Sequence, residues 1–470
     1  MIVAVALDLG TTSIKAGLLS ASGELSGVVV RCAPPVTAEA GRYESDGSAY
    51  ADVANAVLAE CLARIAGCPP LGLCSQRSSF LIWERASGRS VTPLISWQDD
   101  RGQASCDALR EKDGRIRALT GLPLAPYYLA PKLSVLLGEH PEWRAHLASG
   151  AWMLGTLDTF LIWQWTGGKH HVTDASMAAR TLLMDIHDSQ WSAELCGMFG
   201  VDAAVLPKIL PSAGLKIKLD NGLLLQSCVG DQSAALWHGI APGGHEAMVN
   251  LGTGGFVAAY CSQKKSRPTG YLQTLVCQDA RRQVHLACEG TLNSIASALA
   301  EYPVESCLPE ELASNDIYCV AEPSGLGAPY FRRDIGLAFS EPVGHLDAHR
   351  IALLLQEGII FRVARVIEDF QSGLGVKSVY LSGGLSNLPC LQRGIASLVP
   401  VAYRLLQPDA GLVGAAQLAS GVNTAGVRQA QRLDAIAAQA RLRRKFERWK
   451  AWLDGRLDPG ALGQEKKVTR

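Results

Sequence analysis

The hydrophobic pattern of the N-terminal stretch predicts two strands joined by a tight turn. Val3–Leu7 and Ala16–Leu19 are apolar runs of strand length, and glycine and hydroxyl residues lie between them. Apolar positions then recur at helical spacing over Tyr50–Ile65, and Thr156–Trp163 is predicted as a buried helix. Strands that alternate with helices in this way are typical of an α/β layer architecture.

The same alternation returns in the second half of the chain. Three apolar runs there have the length of strands, and three longer stretches space their apolar residues as a helix does. The two halves are therefore predicted to share one architecture. The predicted strands end at Gly252, Ala287 and Ser382, and the predicted helices cover Asn293–Leu299, Ala348–Gln371 and a small-residue segment from Leu412.

Domain boundaries follow from this repeat. A chain of 470 residues is too long for one core and fits two sizeable domains. We predict an N-terminal domain over 1–235, a C-terminal domain over 236–425 and a tail over 426–470. The tail is predicted as one Arg/Ala-rich helix, Arg428–Leu453, with a polar end, and its basic run at 441–445 is typical of a solvated helix face.

The charge balance and the cysteines narrow the class of protein. Basic and acidic residues both number 44, so the formal net charge is zero, whereas nucleic-acid and anionic-membrane partners need a basic field. No apolar run approaches the ~18 residues of a membrane span. The 13 cysteines include no C-x-x-C pair, which favours reduced thiols and a cytoplasmic protein. We expect neither a nucleic-acid nor a membrane partner.

Two loops rich in glycine and threonine resemble each other, and each follows an apolar run. One is Gly10-Thr11-Thr12-Ser13, and the other is Gly252-Thr253-Gly254. A strand followed by such a turn presents backbone N–H groups and hydroxyls to an anion, usually phosphate. The two copies predict a duplicated architecture that closes on one polyphosphate, although a plain hairpin turn also fits the second loop. Neither a P-loop nor a Rossmann motif occurs.

Two aspartates stand at predicted strand ends. Asp8 precedes the first loop, where a carboxylate can hold Mg²⁺ through water while Thr11, Thr12 and Ser13 meet phosphate oxygens. Asp231 stands between a glycine and a small-residue helix, where it can accept a proton from an alcohol that attacks phosphorus. A turn cap for Asp8 and a helix N-cap for Asp231 are the alternatives.

Two further groups of residues suit organic ligands. Gly383-Gly384, with Asn387 nearby, fits a place beside a nucleotide base or ribose where a side chain would clash, although a strand-to-helix turn fits equally well. The second group suits a polyhydroxy ligand, because its aromatic faces pack on sugar carbons and its guanidinium bonds hydroxyls. Each of its members separately also fits ordinary surface or core. That group is Gln76, Arg77, Trp97, Asp99 and Tyr127.

Taken together, and in this order, the motifs resemble those of the FGGY carbohydrate kinases in the actin/hexokinase superfamily, and most of all those of its glycerol kinase members. The resemblance extends from Asp8 to about Ala419. Besides the loops and aspartates it rests on Q-R at Gln76-Arg77, W-Q at Trp97-Gln98, P-Y at Pro126-Tyr127 with Lys132, G-T-x-D-T-x-L-I-W at Gly155–Trp163, V-T-D at Val172–Asp174, G-D-Q-x-A-A-L at Gly230–Leu236, G-T-G-x-F at Gly252–Phe256 and G-L-G-A-P-Y at Gly325–Tyr330.

The resemblance implies two RNase-H-like domains around an ATP-Mg²⁺ cleft and phosphorylation of a primary hydroxyl of a small polyol or sugar. By matching position, Asp231 is the general base, and Asp8 and Asp231 are the metal-associated carboxylates. The implied ATP contacts are Gly10, Thr11, Thr12, Ser13, Lys15, Gly252, Thr253, Gly254, Gly383, Gly384 and Asn387. The implied acceptor pocket is Gln76, Arg77, Ser78, Trp97, Tyr127, Asp231, Gln232 and Phe256.

The departures from the family pattern concern the acceptor and the adenine ends. Ser78 stands where glycerol kinases carry a Glu that would bind two hydroxyls, and Leu388 stands where many members have Asn. A hydroxyl left unpaired in a buried site costs roughly 1–3 kcal/mol, and Ser78 leaves room for a larger substrate. A ketose kinase for xylulose, ribulose or a heptulose is therefore the alternative, and a non-catalytic sugar or nucleotide sensor is the alternative from another class. A homodimer is the assembly that we consider.

Overall fold

The computed structural model describes residues 1–262, 268–421 and 428–458, which form two compact units. The described residues of the first unit are 1–238, 273–286 and 409–421, and the others belong to the second unit. Both units are discontinuous in sequence, unlike the contiguous domains predicted over 1–235, 236–425 and 426–470. The segment 409–421 belongs with the first unit, and 428–458 belongs with the second.

Strands and helices alternate along the described chain, as the hydrophobic pattern predicts. The strands are β1 (Ile2–Leu9), β2 (Ser13–Ser20), β3 (Leu25–Cys32), β4 (Thr37–Glu39), β5 (Arg42–Ser45), β6 (Leu71–Ser75), β7 (Phe80–Glu84), β8 (Leu94–Ile95), β9 (Trp152–Thr156), β10 (Val172–Asp174), β11 (Met184–Asp185), β12 (Gln190–Trp191), β13 (Lys208–Leu210), β14 (Ala213–Lys218), β15 (Leu224–Gly230), β16 (Glu246–Leu251), β17 (Gly255–Cys261), β18 (Leu272–Gln278), β19 (Val284–Leu292), β20 (Cys319–Val320), β21 (Ala338–Phe339), β22 (Ser378–Ser382), β23 (Ala402–Leu405) and β24 (Ala430–Arg432). The helices are α1 (Gly47–Leu62), α2 (Gln103–Ala108), α3 (Asp113–Thr120), α4 (Leu129–Glu139), α5 (Trp143–Ala148), α6 (Leu157–Trp165), α7 (Ala175–Ala178), α8 (Ala193–Phe199), α9 (Asp231–Gly239), α10 (Ile295–Leu299), α11 (Ala348–Leu374), α12 (Pro389–Leu398), α13 (Ala410–Ser420) and α14 (Gln439–Leu457).

The first unit is built on a six-stranded mixed sheet in the order β14-β15-β6-β1-β2-β3. β1 runs parallel to β6, with Asp8 opposite Cys74, and β15 runs parallel to β6, with Gly230 opposite Ser75. The carboxyl ends of these three strands therefore meet at one edge of the sheet, which is where ligand sites of open α/β sheets form. The loop after β1, the turn after β6 and Asp231 all leave the sheet at this edge.

Helix α13 completes the first unit by packing small apolar residues against this sheet. Leu412, Ala415 and Ala416 are fully buried and cluster with Ala6 and Cys74. The prediction of a small-residue helix from Leu412 is therefore confirmed.

The central strands of the second unit are neighbours in the order β17-β16-β22-β23-β24. β16 runs parallel to β22, with Asn250 opposite Ser382, so the turns at Gly252 and Gly383 follow neighbouring strands in the same direction. The long helix α11 supplies much of the core of this unit, and its Phe361 ring lies 5.6 Å from the rings of both Phe446 and Trp449 on α14.

The prediction of one continuous helix over Arg428–Leu453 is wrong. Residues 430–432 form strand β24, which pairs with β23, and helix α14 begins only at Gln439. The open edge of β23 offers backbone hydrogen bonds that outweigh the helical preference of this segment. The basic run is also not wholly solvated, because Lys445 is buried and paired with Glu357. The predicted polar end lies outside the described residues.

Candidate active site

The loop after β1 is held by its own backbone and by a buried tyrosine. Gly10 N donates to Ser13 O at 3.1 Å, and the Tyr50 hydroxyl donates to Gly10 O at 3.2 Å. The same hydroxyl accepts a 3.1 Å bond from Gln76 Nε2, so it links the loop to the turn after β6. Sequence reasoning missed Tyr50, because one tyrosine within a helical pattern signals nothing beyond core packing.

The hydroxyl of Thr11 belongs to a hydrogen-bond network within the first unit. Trp97 Nε1 donates to Thr11 Oγ1 at 2.9 Å, and Thr11 Oγ1 donates to Gln76 Oε1 at 3.3 Å. Ser79 Oγ donates to the same Gln76 oxygen at 2.9 Å. Thr12 is exposed beside this network. Thr11 therefore joins the first phosphate-loop candidate to two candidates of the acceptor pocket.

Asp8, the penultimate residue of β1, carries a carboxylate that the protein does not fully satisfy. Its Oδ1 atom is buried and has no hydrogen-bond partner within the part of the chain that the structure describes. Burial and the nearby Asp231 carboxylate raise the pKa of Asp8 to about 7, against the effects of Cys74 and Lys15. Such an oxygen costs free energy unless a cation or a proton compensates it.

Lys15 forms an ion pair in the first unit. It lies on β2 opposite Asp8, and its Nζ is 2.6 Å from Asp409 Oδ1, at the residue before α13. The family resemblance implies a phosphate contact for Lys15, and in this structure its ammonium group pairs with a carboxylate. Both side chains remain partly exposed, so solvent and anions can compete for the pair.

Asp231 and Gln232 open α9, and Arg77 lies against both. Arg77 donates to Gln232 Oε1, and its Nε lies 3.7 Å from Asp231 Oδ1. Gly230 permits this packing, because a Cβ there would lie 2.7 Å from Arg77 Cδ. Burial raises the pKa of the Asp231 carboxyl, and the charges of Arg77 and Arg180 oppose that rise. The Asp231 side chain keeps 37% of its surface exposed, which leaves it open to a ligand.

The backbone just before Asp231 is anchored by the V-T-D segment. Gly230 N donates to Ser176 Oγ at 2.8 Å, and Ser176 Oγ donates to Asp174 Oδ1 at 3.1 Å. Asp174 also caps α7 and accepts a 2.6 Å bond from Ser212 Oγ. Burial raises the pKa of Asp174 to about 7. This motif therefore fixes the end of β15 from which Asp231 projects.

Two residues predicted near the acceptor have other partners in the structure. Ser78 is buried with a φ of 64°, and its hydroxyl donates to Arg180 O at 2.9 Å, so its contribution to a pocket is the space its small side chain leaves. Asp99 is fully buried and pairs with Arg101 and Tyr43 N. Although burial opposes it, these bonds lower the pKa of Asp99. Its burial and these partners favour the alternative of an ordinary core residue for Asp99.

The two aromatic candidates of the first unit present open ring surface. Trp97 is 42% exposed and Tyr127 is 37% exposed, which is unusual for large rings in a folded core. Trp97 N donates to Ser79 Oγ at 2.9 Å. The Tyr127 ring lies 4.4 Å from that of Tyr128. Each ring is thus held at one side and available to a ligand at the other.

The second unit carries the other loop, Gly252-Thr253-Gly254, between β16 and β17. Gly252 N donates to Gly254 O at 2.9 Å, and Thr253 O accepts a 3.2 Å bond from Ala296 N. A tight hairpin turn is therefore what its backbone forms. Phe256 lies on β17 opposite Asn250 and is partly buried.

The glycine turn after β22 depends on the absence of a side chain. Gly383 has a φ of 86°, and a Cβ there would lie 2.4 Å from Leu251 O. Gly384 has open space where its Cβ would be. Asn387 ends the short 3₁₀ turn that follows, and its Oδ1 accepts a bond from Arg404. The turn thus brings bare backbone to the end of β22.

Two family models cover both halves of the chain. That of the N-terminal domain of the FGGY family of carbohydrate kinases matches residues 3–228, and that of the C-terminal domain matches residues 247–421. The chain belongs to the FGGY family of carbohydrate kinases. It is therefore an enzyme, a phosphotransferase that uses ATP as donor and a polyol or sugar as acceptor.

Curated relatives of this FGGY kinase include two glycerol kinases with similar overall length. That of Thermus brockianus is 34% identical over 408 residues, which cover 81% of this chain and 82% of the relative. That of Alkalilimnicola ehrlichii is 33% identical over 448 residues, which cover 88% and 89%. The prediction of a glycerol kinase-like carbohydrate kinase is thereby confirmed.

Solved structures confirm the predicted fold class of two actin/hexokinase-type domains. Plasmodium falciparum glycerol kinase with ADP superimposes with a TM-score of 0.84 at 22% identity, covering 96% of this chain and 98% of that one. Xylulose kinase from Rhodospirillum rubrum superimposes with a TM-score of 0.79 at 18% identity, covering 95% and 97%. At these identities the likeness establishes the fold.

The first unit of the FGGY kinase offers a cation two carboxylates rather than a closed cage. Within 1–262, 268–421 and 428–458, no group of three His, Cys, Asp or Glu side chains is arranged to hold a metal ion. Asp8 has its unpartnered buried oxygen, and Asp231 is near enough to raise the Asp8 pKa. Mg²⁺ usually keeps several waters and takes one or two carboxylates beside substrate phosphates. The donor set fits Mg²⁺ that arrives with a nucleotide.

The helices that the structure describes include no membrane-crossing candidate. Among the described residues, none is both long and apolar enough to span a bilayer.

Proposed function

We propose that this FGGY kinase transfers the γ-phosphoryl group of ATP to a primary hydroxyl of glycerol or of a related small polyol or sugar. The observation that carries the proposal is the grouping of Asp231, Gln232 and Arg77 at the carboxyl end of β15, at the same sheet edge as the carboxyl end of β1, which carries Asp8. The glycerol kinases among its relatives, at 33% and 34% identity, support the acceptor class.

In the proposed reaction Asp231 is the general base. The acceptor oxygen forms a bond to the γ-phosphorus, the bond to the bridging oxygen of ADP breaks, and the hydroxyl proton passes to an Asp231 carboxylate oxygen. Because phosphoryl transfer depends mostly on positioning, a carboxylate can serve this purpose although burial raises its pKa. The charge of Arg77, whose Nε lies 3.7 Å from Asp231 Oδ1, opposes the rise in the Asp231 pKa and favours its ionised form.

The remaining site residues keep the roles that the resemblance implies, as part of this proposal. Gln76, Arg77, Trp97, Tyr127, Gln232 and Phe256 bind the acceptor, with Ser78 leaving space for it. Gly10, Thr11, Thr12, Ser13, Lys15, Gly252, Thr253 and Gly254 bind the phosphates, and Gly383, Gly384 and Asn387 lie at the adenosine. Mg²⁺ would be held by Asp8 and Asp231 and would neutralise phosphate charge. Three statements remain predictions: both loops bind one ATP, the protein is a homodimer, and it is cytoplasmic.

Residue 78 bears on which acceptor this kinase prefers. Ser78 offers no carboxylate, and its hydroxyl is already bonded to the Arg180 carbonyl. An acceptor hydroxyl that a glutamate at position 78 would bind therefore needs another partner here, or the preferred acceptor has no hydroxyl at that point. This observation favours a larger acceptor and keeps a ketose kinase as the second candidate. A non-catalytic sensor is less favoured, because Asp8 and Asp231 are both present.

A coupled ADP-release screen tests the proposal. The purified kinase is assayed with ATP and Mg²⁺ against glycerol, erythritol, other polyols and C4–C7 ketoses, with mass spectrometry of each product. We expect acceptor-dependent ADP release and one added phosphoryl group for at least one acceptor. Glycerol as best acceptor supports the first candidate, and a ketose supports the second. Silence on every acceptor with intact ATP binding would contradict catalysis and favour a sensor.

A further inference from the structure

Lys132 is a buried cation whose hydrogen bonds go to backbone rather than to carboxylates. It lies on α4 with no exposed surface, and its Nζ donates to Ser78 O at 2.9 Å and to Ser96 O at 2.7 Å. Its Nζ also lies 5.6 Å from the centre of the Phe80 ring. Burial lowers the pKa of Lys132 to about 7, and Asp99 opposes that shift. Two carbonyl acceptors need only two N–H donors, which lysine supplies in either protonation state.

The two carbonyls belong to the two chain segments that carry the acceptor candidates. Ser78 directly follows Arg77 in the turn after β6, and Ser96 directly precedes Trp97 after β8. Ser96 O also accepts a 3.1 Å bond from Asp99 N, which closes a turn around Trp97. A single ammonium group therefore joins the turn of Arg77 to the turn of Trp97.

No other side-chain cation joins these two carbonyls among the described hydrogen bonds, although Ser79 adds a neutral link. Ser79 Oγ accepts from Trp97 N at 2.9 Å, so the same two turns meet at a second point beside Lys132. A buried amine is costly to desolvate, and an apolar side chain on α4 would avoid that cost. Its replacement would remove the Nζ donor from both carbonyls, and Ser96 O would keep its bond from Asp99 N.

We propose that Lys132 is a positioning residue of the acceptor pocket, which sets acceptor affinity by fixing Arg77 and Trp97 relative to each other. The proposal rests on the proposed function, because it assumes that these two residues meet the acceptor. Lys132 itself is buried and touches no acceptor. The nucleotide loops take no hydrogen bond from its Nζ and are linked to it indirectly, through the bond from Trp97 Nε1 to Thr11, so its larger effect falls on the acceptor.

The kinetic test replaces Lys132 by Met and by Arg, with K445M as the matched control. Lys445 is also buried and bonds Glu357 and Asn315 in the second unit, so K445M reports the general effect of losing a buried lysine. For K132M we expect the acceptor KM to rise at least tenfold, with the ATP KM within twofold of the parent. K132R keeps donors in a changed geometry, and its acceptor KM should rise by a smaller factor. K445M should lower thermal stability and leave the acceptor KM unchanged.

A second readout needs neither acceptor nor ATP, and so separates this proposal from the proposed function. The fluorescence of Trp97 is obtained as the difference between each protein and its W97F counterpart, and its quenching by acrylamide is measured. K132M should change the quenching constant of Trp97, whereas K445M should not. A kinase without detectable acceptor would contradict the proposed function while this measurement still decides the placement of Trp97.

Three results would overturn the proposal. The first is an unchanged acceptor KM in folded K132M, and the second is an equal rise in the acceptor and ATP KM values, which indicates general damage. The third is unchanged Trp97 quenching. Should K132M not fold, K132R carries the same test, and parent-like values for its acceptor KM and its Trp97 quenching would overturn the proposal.

Discussion

The indole of Trp97 donates a 2.9 Å hydrogen bond to the hydroxyl of Thr11. Trp97 is an acceptor candidate and Thr11 is a phosphate-loop candidate, so the bond joins the two functions within the first unit. The hydroxyl then donates to Gln76 at 3.3 Å, and Gln76 bonds Tyr50 beneath the loop. The Thr11 hydroxyl therefore positions Trp97 and Gln76 directly, in addition to its proposed contact with phosphate.

A double-mutant cycle on this bond measures how far the two functions are coupled. T11V and W97F should each raise the acceptor KM, and together they should cost less than the sum of their separate effects. The expected coupling is about 0.5–1.5 kcal/mol, the usual contribution of one hydrogen bond. T11S keeps the hydroxyl and should stay close to the parent. Strictly additive effects of T11V and W97F would show that this hydrogen bond does not contribute to acceptor binding.

The acid limb of the pH profile reports the charge around Asp231. Loss of activity at low pH should follow protonation of this base, whose pKa burial raises and Arg77 lowers. R77M removes the opposing charge, so the acid limb of kcat/KM should move to higher pH. R89M, which removes an exposed arginine, should leave the limb in place. A shift to lower pH in R77M would contradict the assigned electrostatics.

An added methyl group should destabilise the protein at Gly383 and should be tolerated at Gly384. G383A places a Cβ 2.4 Å from Leu251 O at a φ of 86°, so we expect a lower Tm and an ATP KM raised at least tenfold. G384A meets nothing within 4 Å and should keep the parent Tm. Thermal melts and ATP titrations check both variants. Equal Tm values for the two would mean that the turn tolerates a side chain at 383.

The Asp8 carboxylate should destabilise the nucleotide-free protein at high pH. Its pKa is raised to about 7 in the folded state, above the ~3.9 of an unfolded Asp, so the penalty on its charge is full above pH 7 and shrinks as the pH falls. D8N should therefore raise the Tm at pH 8 by about 2 °C or more, and by less at pH 5. D107N, at an exposed ion pair, is the control. A D8N protein less stable than the parent at pH 8 would contradict this account.

The local sequence pattern predicts strands and helices well where the spacing of apolar residues decides the structure. β1 and β2 follow from apolar runs around a glycine turn, and α11 follows from a long helical spacing. The helix predicted for the tail is wrong because residues 430–432 pair with the edge of β23, and no local pattern reveals that pairing. The placement of 409–421 in the first unit is likewise a matter of packing between distant segments.

The candidate site divides in the same way. Asp8, Asp231 and the glycine loops stand at strand ends that the sequence marks, and the parallel register of β1, β6 and β15 groups those of the first unit. The supporting residues carry no such mark. Tyr50, Ser176 and the ion pair of Lys15 act through contacts between residues far apart in the chain, so they emerge only from the fold.

The turnover of D231N tests the central claim most directly. The asparagine keeps the size of the side chain and loses the base, so kcat should fall about 10²–10⁴-fold. Calorimetry should show acceptor binding and binding of a non-hydrolysable ATP analogue close to those of the parent and of D107N. A kcat within threefold of the parent, with both ligands still bound, would contradict the assignment of Asp231 as the general base.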